Sequence, residues 1–236
     1  MRSVAEQSVE ELGGRISVLV RQKRDHVKLN RLLQDLHRTT GTDQERVLLR
    51  IYRLVFPHAF AEESVLWPVM RRTLEDGQEL TLEVEREHQE VNELVMRLEG
   101  LPKDAPERGP ILDRLTEVLR EDVRDEEDVL FPRLQSRVDR AQLRRLGLLW
   151  EVVRRTAPTR AHPIVARRPP GNVLAAVPLS VLDRLRDLAD LIAYRGPARV
   201  APAAGKASGG LARAAHAVER VPILRRGEDP STRFPG

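Results

Sequence analysis

Over the first 156 positions apolar residues return every three or four places, and no stretch alternates with a period of two. An α-helix turns once in about 3.6 residues, so this spacing gathers apolar side chains into one stripe per helix, whereas a half-buried strand needs strict alternation. The first stripe is Ile16, Val20, Val27, Leu29, Leu32, Leu33 and Leu36, and it stops at a loop around Gly41. Asp43 stands where a second helix would be capped, ahead of Val47, Leu48, Ile51, Leu54 and Val55. A third helix is predicted from about Glu79 to Leu98. The three prolines of the stretch 100–110 separate it from a fourth that carries Ile111, Leu115, Val118 and Leu119. A shorter fifth follows Asp139 with Leu143, Leu146 and Leu149, and ends near Thr156. Long amphipathic helices joined by short loops predict an all-α fold, an up-and-down four-helix bundle with a short fifth helix.

Helical periodicity breaks off after Thr156, where Pro158, Pro163, Pro169 and Pro170 cluster. The chain therefore divides into a compact bundle, residues 1–156, and a Pro/Gly-rich extension, residues 157–236. Charge divides at the same place. The extension holds 13 Lys and Arg against 6 Asp and Glu, the bundle 27 against 30, within a whole-chain charge of +4. The stretch Arg167–Asn172 reads as an extended linker. Ser180 and Asp183 resemble a helix-capping box, and Leu182, Leu185, Leu188, Leu191 and Ile192 continue as a stripe to Tyr194. A helix near 180–194 is thus predicted, its leucine side docking on the bundle, lying on a membrane surface or binding an unidentified partner. A weaker helix is predicted over 211–221. The extension's arginines are scattered with no aromatic residue between them, so nucleic acid is not the expected partner.

Composition closes off much of the remaining chemistry. With no cysteine, there are no disulfides, thiolate metal sites, iron–sulfur clusters or cysteine nucleophiles. Aromatic residues are only 3%, which leaves the core to aliphatic side chains. No run of about 18 apolar residues is present to predict a transmembrane segment. The opening MRSVAEQSVEEL has no apolar core of a secretory leader, so the cytoplasm is the expected compartment. No Ser/His/Asp frame, phosphate-binding loop or glycosidase-type carboxylate pair stands out.

The chain also repeats itself. Asp25-His26-Val27-Lys28-Leu29-Asn30 lies over Glu87-His88-Gln89-Glu90-Val91-Asn92, and His58-Ala59-Phe60-Ala61-Glu62-Glu63 lies over Asp122-Val123-Arg124-Asp125-Glu126-Glu127. Leu66-Trp67-Pro68 then matches Leu130-Phe131-Pro132. Polar residues recur in step, so two helical hairpins packed about a pseudo-twofold axis would set them face to face.

Residues four apart share a helix face. His58 therefore projects with Glu62, Asp122 with Glu126, His26 with Asn30 and His88 with Asn92. Three imidazoles and several carboxylates inside an aliphatic bundle are costly unless a cation compensates them. Nitrogen and carboxylate oxygen together suit iron, manganese or zinc. Geometry predicts Glu62 and Glu126 as bridges between two ions, with His26 and His58 on one and His88 on the other. Glu63 and Glu127 lie about 140° from the first residue of their motifs, which predicts solvent-facing or ligand-orienting roles. Asp25 and Glu87 are expected to be exposed, one of them free to orient an imidazole. His37 reads as a helix-end histidine, His162 and His216 receive no role, and Trp67, Pro68, Phe131 and Pro132 are expected to pack near the bundle end.

Over about residues 15–135 the pattern DH…HxxxEE…LWP…EH…xxxEE…LFP resembles the hemerythrin-like HHE cation-binding domain. The resemblance implies a non-haem di-iron centre among four helices, with His26, His58, Glu62, His88 and Glu126 as ligands. It also implies binding of dioxygen or a related diatomic or peroxide ligand. Two positions depart from the pattern. Asp122 stands where the second motif should open with histidine, and Asn92 stands where oxygen-carrying members use another. With Asp122 as a sixth donor the second ion gains an oxygen-rich set, which favours ferric iron and disfavours reversible oxygen carriage. The sequence reading is then a protein that binds or senses dioxygen, nitric oxide or peroxide, or buffers iron. A single-metal or manganese-bearing centre, a peroxide-disproportionating enzyme and a helical interaction module with a degenerate site remain open beside it.

Overall fold

The computed structural model describes residues 1–234. Among them there are nine α-helices and no strand: α1 Val18–Arg38, α2 Gly41–Ala61, α3 Trp67–Thr73, α4 Gly77–Gly100, α5 Arg108–Asp125, α6 Phe131–Arg137, α7 Arg140–Thr156, α8 Gly171–Arg195 and α9 Ala201–Glu219. The all-α bundle expected from the periodicity is present. Two of its helices are longer than the apolar pattern showed, because α2 runs into α3 and α5 into α6 through five-residue π turns, Glu62–Leu66 and Glu126–Leu130. Each wide turn is closed by a bond from residue i to i−5, Trp67 N–H to the Glu62 carbonyl and Phe131 N–H to the Glu126 carbonyl. The cause is local. Pro68 and Pro132 have no amide to give the carbonyl four residues back, and their rings crowd it, so the turn widens just before them.

Two apolar clusters fill the bundle, mostly aliphatic but with Tyr52 and Phe56 in the first and Trp67, Phe131 and Trp150 in the second. One holds Leu29–Leu36 of α1, Val47–Phe56 of α2, Val91–Leu98 of α4 and Ile111–Leu119 of α5. The other holds Val18–Val20 of α1, Val65–Met70, Val84 of α4 and Leu130–Leu134. Along the chain the clusters are visited in the order second-first, first-second, second-first, first-second, which is the up-down-up-down course of the four helices. His26, His58 with Glu62, His88, and Asp122 with Glu126 each fall at the crossing from one cluster to the other. The polar residues therefore share one level, between two apolar plugs.

Helix α7 starts at a capping box in which Asp139 accepts from the Gln142 amide at 2.7 Å and the Gln142 side chain accepts from the Asp139 amide. It packs on α1 and α2 through Leu143, Gly147 and Trp150, whereas Leu149, assigned to the inner stripe by sequence, faces solvent. The register follows Gly147, which lies so near the backbone at the start of α1 that a Cβ there would fall 2.0 Å from the Ile16 carbonyl oxygen. Ile16 and Val27 of the first stripe are exposed as well.

In the extension, α8 starts nine residues before the expected position and carries Pro178 within it. Ser180 lies inside the helix and caps nothing; its hydroxyl donates to the Ala157 carbonyl. Arg167–Asn172 is not a solvated linker either. Arg167 is buried, Arg168 pairs with Glu85 at 2.6 Å, and Asn172 is in the first turn of α8. Of the stripe expected to dock, Leu182 packs on a small apolar cluster of Val165, Ala175, Leu179, Ala215 and Leu224, while Leu185, Leu188, Leu191 and Ile192 turn outward, because the acids of α8 take the side that faces Arg160 and His162. Asp183 accepts from the amides of Thr159 and Arg160, and Asp187 and Asp190 grip the buried Arg160 guanidinium at 2.5 and 2.7 Å.

Candidate metal centre

Donor atoms from α1, α2, α4, α5 and the two π turns meet at the level between the two clusters. His26 Nε2 of α1 lies 3.1 Å from Glu126 Oε2, and His58 Nε2 at the end of α2 lies 3.0 Å from Glu62 Oε1. The other Glu62 oxygen is 3.7 Å from His88 Nε2 of α4, and Asp122 Oδ1 of α5 is 3.4 Å from the same nitrogen. These atoms form two groups, His26/His58/Glu126 and Glu62/His88/Glu126, each with its members within 4.8 Å of one another. Glu126 belongs to both groups and Glu62 reaches from His58 to His88, so both carboxylates have the span of a bridge.

The residues fit a cation. Nε2 of His26 and His58, both carboxylate oxygens of Glu62 and of Glu126, and Asp122 Oδ1 are buried with no hydrogen-bond partner among the described residues. Orphaned polar atoms each cost roughly 1–3 kcal/mol or more when desolvated. Two donors about 2.1 Å from a small cation and 90–120° apart stand roughly 3.0–3.6 Å from each other, which is the spacing seen here.

Behind each imidazole stands a carboxylate. Glu127 is 2.9 Å from His26 Nδ1, Asp25 is 3.3 Å from His58 Nδ1, and Glu63 is 3.0 Å from His88 Nδ1. A carboxylate only accepts, so Nδ1–H donates in each pair, and Nε2 is left aimed at the centre. The pairing crosses between the repeats. Glu63 of the first motif holds His88 of the second half, and Glu127 of the second motif holds His26 of the first. The aromatic residues cross likewise. Trp67 stacks on His88 with 6.4 Å between centroids and Phe131 on His26 with 6.2 Å, so they wall the site where sequence had placed them at the bundle end.

Electrostatics favour positive charge here. Burial opposes a charged His26, but Glu126 and Glu127 outweigh it and raise its pKa to about 9. His58 is likewise raised against burial by Glu62 and Asp25, and His88 by Asp122 and Glu63. Glu126 moves the other way for a carboxyl, up to about 8, from burial first and then the charges of Glu62 and Asp122. Glu87 also rises to about 8, through burial and the neighbouring Asp122 and Asp125.

The structure brings together all six candidate donors, with Asp122 beside the second group. Of the flanking acids, Glu63 is buried and Glu127 and Asp25 are mostly covered. An offset of 140° on their own helix turns Glu63 and Glu127 away from the centre, but towards the neighbouring helix that carries the imidazole. Glu87 is half-buried, and its Oε2 has no hydrogen-bond partner. Asn92 cannot serve as a donor as placed, since its amide donates to the His88 carbonyl at 2.7 Å and its oxygen accepts from the His162 amide at 2.9 Å. Asn30 and His37 are exposed. His162, given no role by sequence, is buried between Asp183 and Glu219 at 3.1 and 2.9 Å. The buried Arg167 reaches within 3.7 Å of Glu63, so the extension touches both the carboxylate and the amide that flank His88.

A cavity of about 30 Å³ adjoins the donors, lined by the three histidines and Asp122 on one side and by Leu54, Val55, Phe56, Val91 and Leu119 on the other. A groove of about 210 Å³ between α1 and α5 shares His26, Leu29, Leu119 and Val123 with it and opens past Arg120 and Arg124.

Comparison with known proteins gives concordant findings. The profile of the hemerythrin HHE cation binding domain matches residues 18–134. An uncharacterized hemerythrin-like protein of Schizosaccharomyces pombe is 26% identical over 171 residues, 70% of this chain and 82% of that protein. A DNA nickase of Nostoc sp. is 29% identical over 119 residues, half of this chain and 33% of that protein. No solved structure matches the chain.

Proposed function

Residues 18–134 of this chain belong to the hemerythrin HHE cation-binding family, and from that premise we propose a non-haem di-iron centre that binds a ligand the size of dioxygen, nitric oxide or peroxide. The observation that carries the reading is the pair of buried donor groups joined through Glu126. His26, His58 and Glu126 would hold one ion, Glu62, His88 and Glu126 the other, with Asp122 completing the second set. Manganese and zinc accept the same donors. Iron bound here supplies open coordination positions and one-electron chemistry. The protein's part is to fix the imidazoles through Glu127, Asp25 and Glu63, to exclude bulk water with Leu54, Val55 and Val91, and to limit the ligand's size.

Size and wall favour this reading over the others. A cavity of about 30 Å³ holds one or two waters' worth of ligand, which suits a diatomic or peroxide ligand and is too small for an organic substrate of many heavy atoms. Six carboxylates surround three imidazoles, so the centre carries a large excess of negative charge that ferric ions offset better than ferrous. Sensing or one-way binding therefore suits it better than reversible carriage. A centre of two sites enclosed by the bundle is a poor iron buffer. A decayed site would not keep seven buried, unpartnered donor atoms turned towards one another.

Metal analysis and near-ultraviolet spectroscopy of protein purified without chelator test the reading. About two iron ions per chain and ferric charge-transfer absorption are expected, both lost in the double variant His58→Ala, Glu62→Ala. Metal well below one ion per chain, equal in wild type and variant, overturns it.

A further inference from the structure

Helix α8 presents an outward face with an uncommon composition. Val177, Val181, Leu185, Leu188 and Ile192 follow at spacings of four, four, three and four, flanked by Val173, Leu174 and Leu191, and all eight are between 38% and 71% exposed. Placed on a helical wheel they cover the side opposite Ala175, Leu179 and Asp183, which are buried. Together they leave open roughly 700 Å² of aliphatic surface, more than a soluble monomer usually shows in one patch. The charged residues exposed on that face are Arg184 and Arg195.

The acids of the α8–α9 hairpin are all drawn inward. Asp183 and Glu219 hold His162, and Asp187 pairs with Arg53 and Arg160. Asp190 pairs with Arg160 and accepts from Ser208. The exposed charges of the hairpin and its loop are cations: Arg184, Arg195, Arg199, Lys206, Arg213 and Arg220. An apolar stripe about 29 Å long, with Arg184 on its face and Arg195 at its end and no exposed acid on the hairpin, is complementary to an anionic apolar surface.

We propose that the outward face of α8 docks on membranes containing anionic phospholipid, with the stripe entering the headgroup boundary and the arginines meeting lipid phosphates and carboxylates. No helix among the described residues is long and apolar enough to cross a membrane, so α8 lies along the surface. Charge argues against a second copy of the chain as the occupant. Arg184 is one residue from the midpoint of α8, so a twofold pairing of two such faces, parallel or antiparallel, sets Arg184 near its own image with no acid to meet it. Composition argues against a protein groove, since the face has no Trp, Tyr, Phe or Met, the side chains that anchor protein interfaces.

The test is flotation of the full chain with vesicles of phosphatidylserine and phosphatidylcholine, against vesicles of phosphatidylcholine alone and against DNA. Binding to the anionic vesicles is expected, weakened at high salt. Arg184→Gln with Arg195→Gln should lower it roughly thirtyfold, and Leu185→Asp with Leu188→Asp should abolish it. These four side chains are exposed, and only Arg184 gives up bonds within the chain, to the Arg155 carbonyl and the Ser180 hydroxyl, so circular dichroism of the variants should match wild type. No binding to anionic vesicles, equal binding to neutral ones, or binding unchanged in the folded leucine variant overturns the proposal. So does dimerisation without lipid that the leucine variant removes, or retention by DNA alone.

Discussion

Histidine 162 gives the extension a pH-dependent anchor whose size follows from its surroundings. Its Nδ1 faces Glu219 on α9 at 2.9 Å, its Nε2 faces Asp183 on α8 at 3.1 Å, and its amide donates to Asn92 on α4. His216 shares Glu219 at 3.2 Å, and the Arg167 guanidinium donates to the His162 carbonyl. Burial opposes a charged ring, but Asp183 and Glu219 outweigh it and raise the pKa from 6.5 to about 9. A folded-state pKa above the unfolded one stabilises fully below the unfolded value and is lost as pH rises through the folded value. The window here is pH 6.5 to 9. At about 1.4 kcal/mol per pH unit the charged triad contributes about 3 kcal/mol at pH 6 and little above pH 9. Loosening of segment 157–234 is therefore expected between pH 7 and 10, read as limited proteolysis of the extension and as a falling midpoint of denaturation. His26 titrates in the same range when no cation is bound, so the share of His162 is the difference between wild type and His162→Gln in metal-loaded protein. A variant that loses stability with pH as steeply as wild type, or a wild type flat from pH 6 to 10, refutes the reasoning.

Other residues give sharper local tests. Glu63→Gln keeps the hydrogen bond to His88 but removes the charge behind it, and should weaken metal binding by about tenfold in competition with a chelator while leaving the helical content unchanged. Gly147→Ala drives a methyl into the Ile16 carbonyl, so α7 should be displaced at a cost of about 1–3 kcal/mol, seen as a Tm lower by several degrees. Leu115→Ala, at a fully buried position of the first cluster, should cost about 2–5 kcal/mol in denaturant titration. Asp122→His should add a nitrogen donor and give Glu87 a ring to hold, seen as tighter metal binding and a shifted charge-transfer spectrum.

The sequence carried the bundle and its donors because both are periodic. A stripe every 3.6 residues names the buried face, and a motif repeated in step names the polar level between the plugs. Pairings between helices were another matter. That Glu63 serves His88, and Glu127 serves His26, depends on which helix lies alongside, and an angle on one helix cannot report it. The spacing of Pro68 and Pro132 after the two Glu-Glu pairs is the signal in the sequence for the π turns. In the extension two stripes competed for the inward side of α8. The leucines at 182, 185, 188 and 191 have the usual claim, yet Asp183, Asp187 and Asp190 share a face just as regularly, and Arg160, His162 and Arg53 decide for them. Those partners are distant in sequence, so the contest was settled by tertiary contacts alone.

Symmetry gives the departure at Asp122 a physical meaning. In the first half Asp25 holds Nδ1 of His58, and the positions that correspond to that pair in the second half are Glu87 and Asp122. Had a histidine stood at 122, Glu87 would have faced a ring as Asp25 does. It faces a carboxylate instead, and like charge adds to burial in pushing its pKa to about 8. The two acids thus set anion beside anion where the first half of the frame sets an acid beside an imidazole. Asp122 remains mostly covered, one of its oxygens unpartnered and 3.4 Å from His88 Nε2. A carboxylate kept there is uphill in an apolar bundle unless a cation shares it. The same substitution that removes a nitrogen donor therefore strengthens the case for a cation, and it makes the two halves of the centre unequal in charge as well as in donor type.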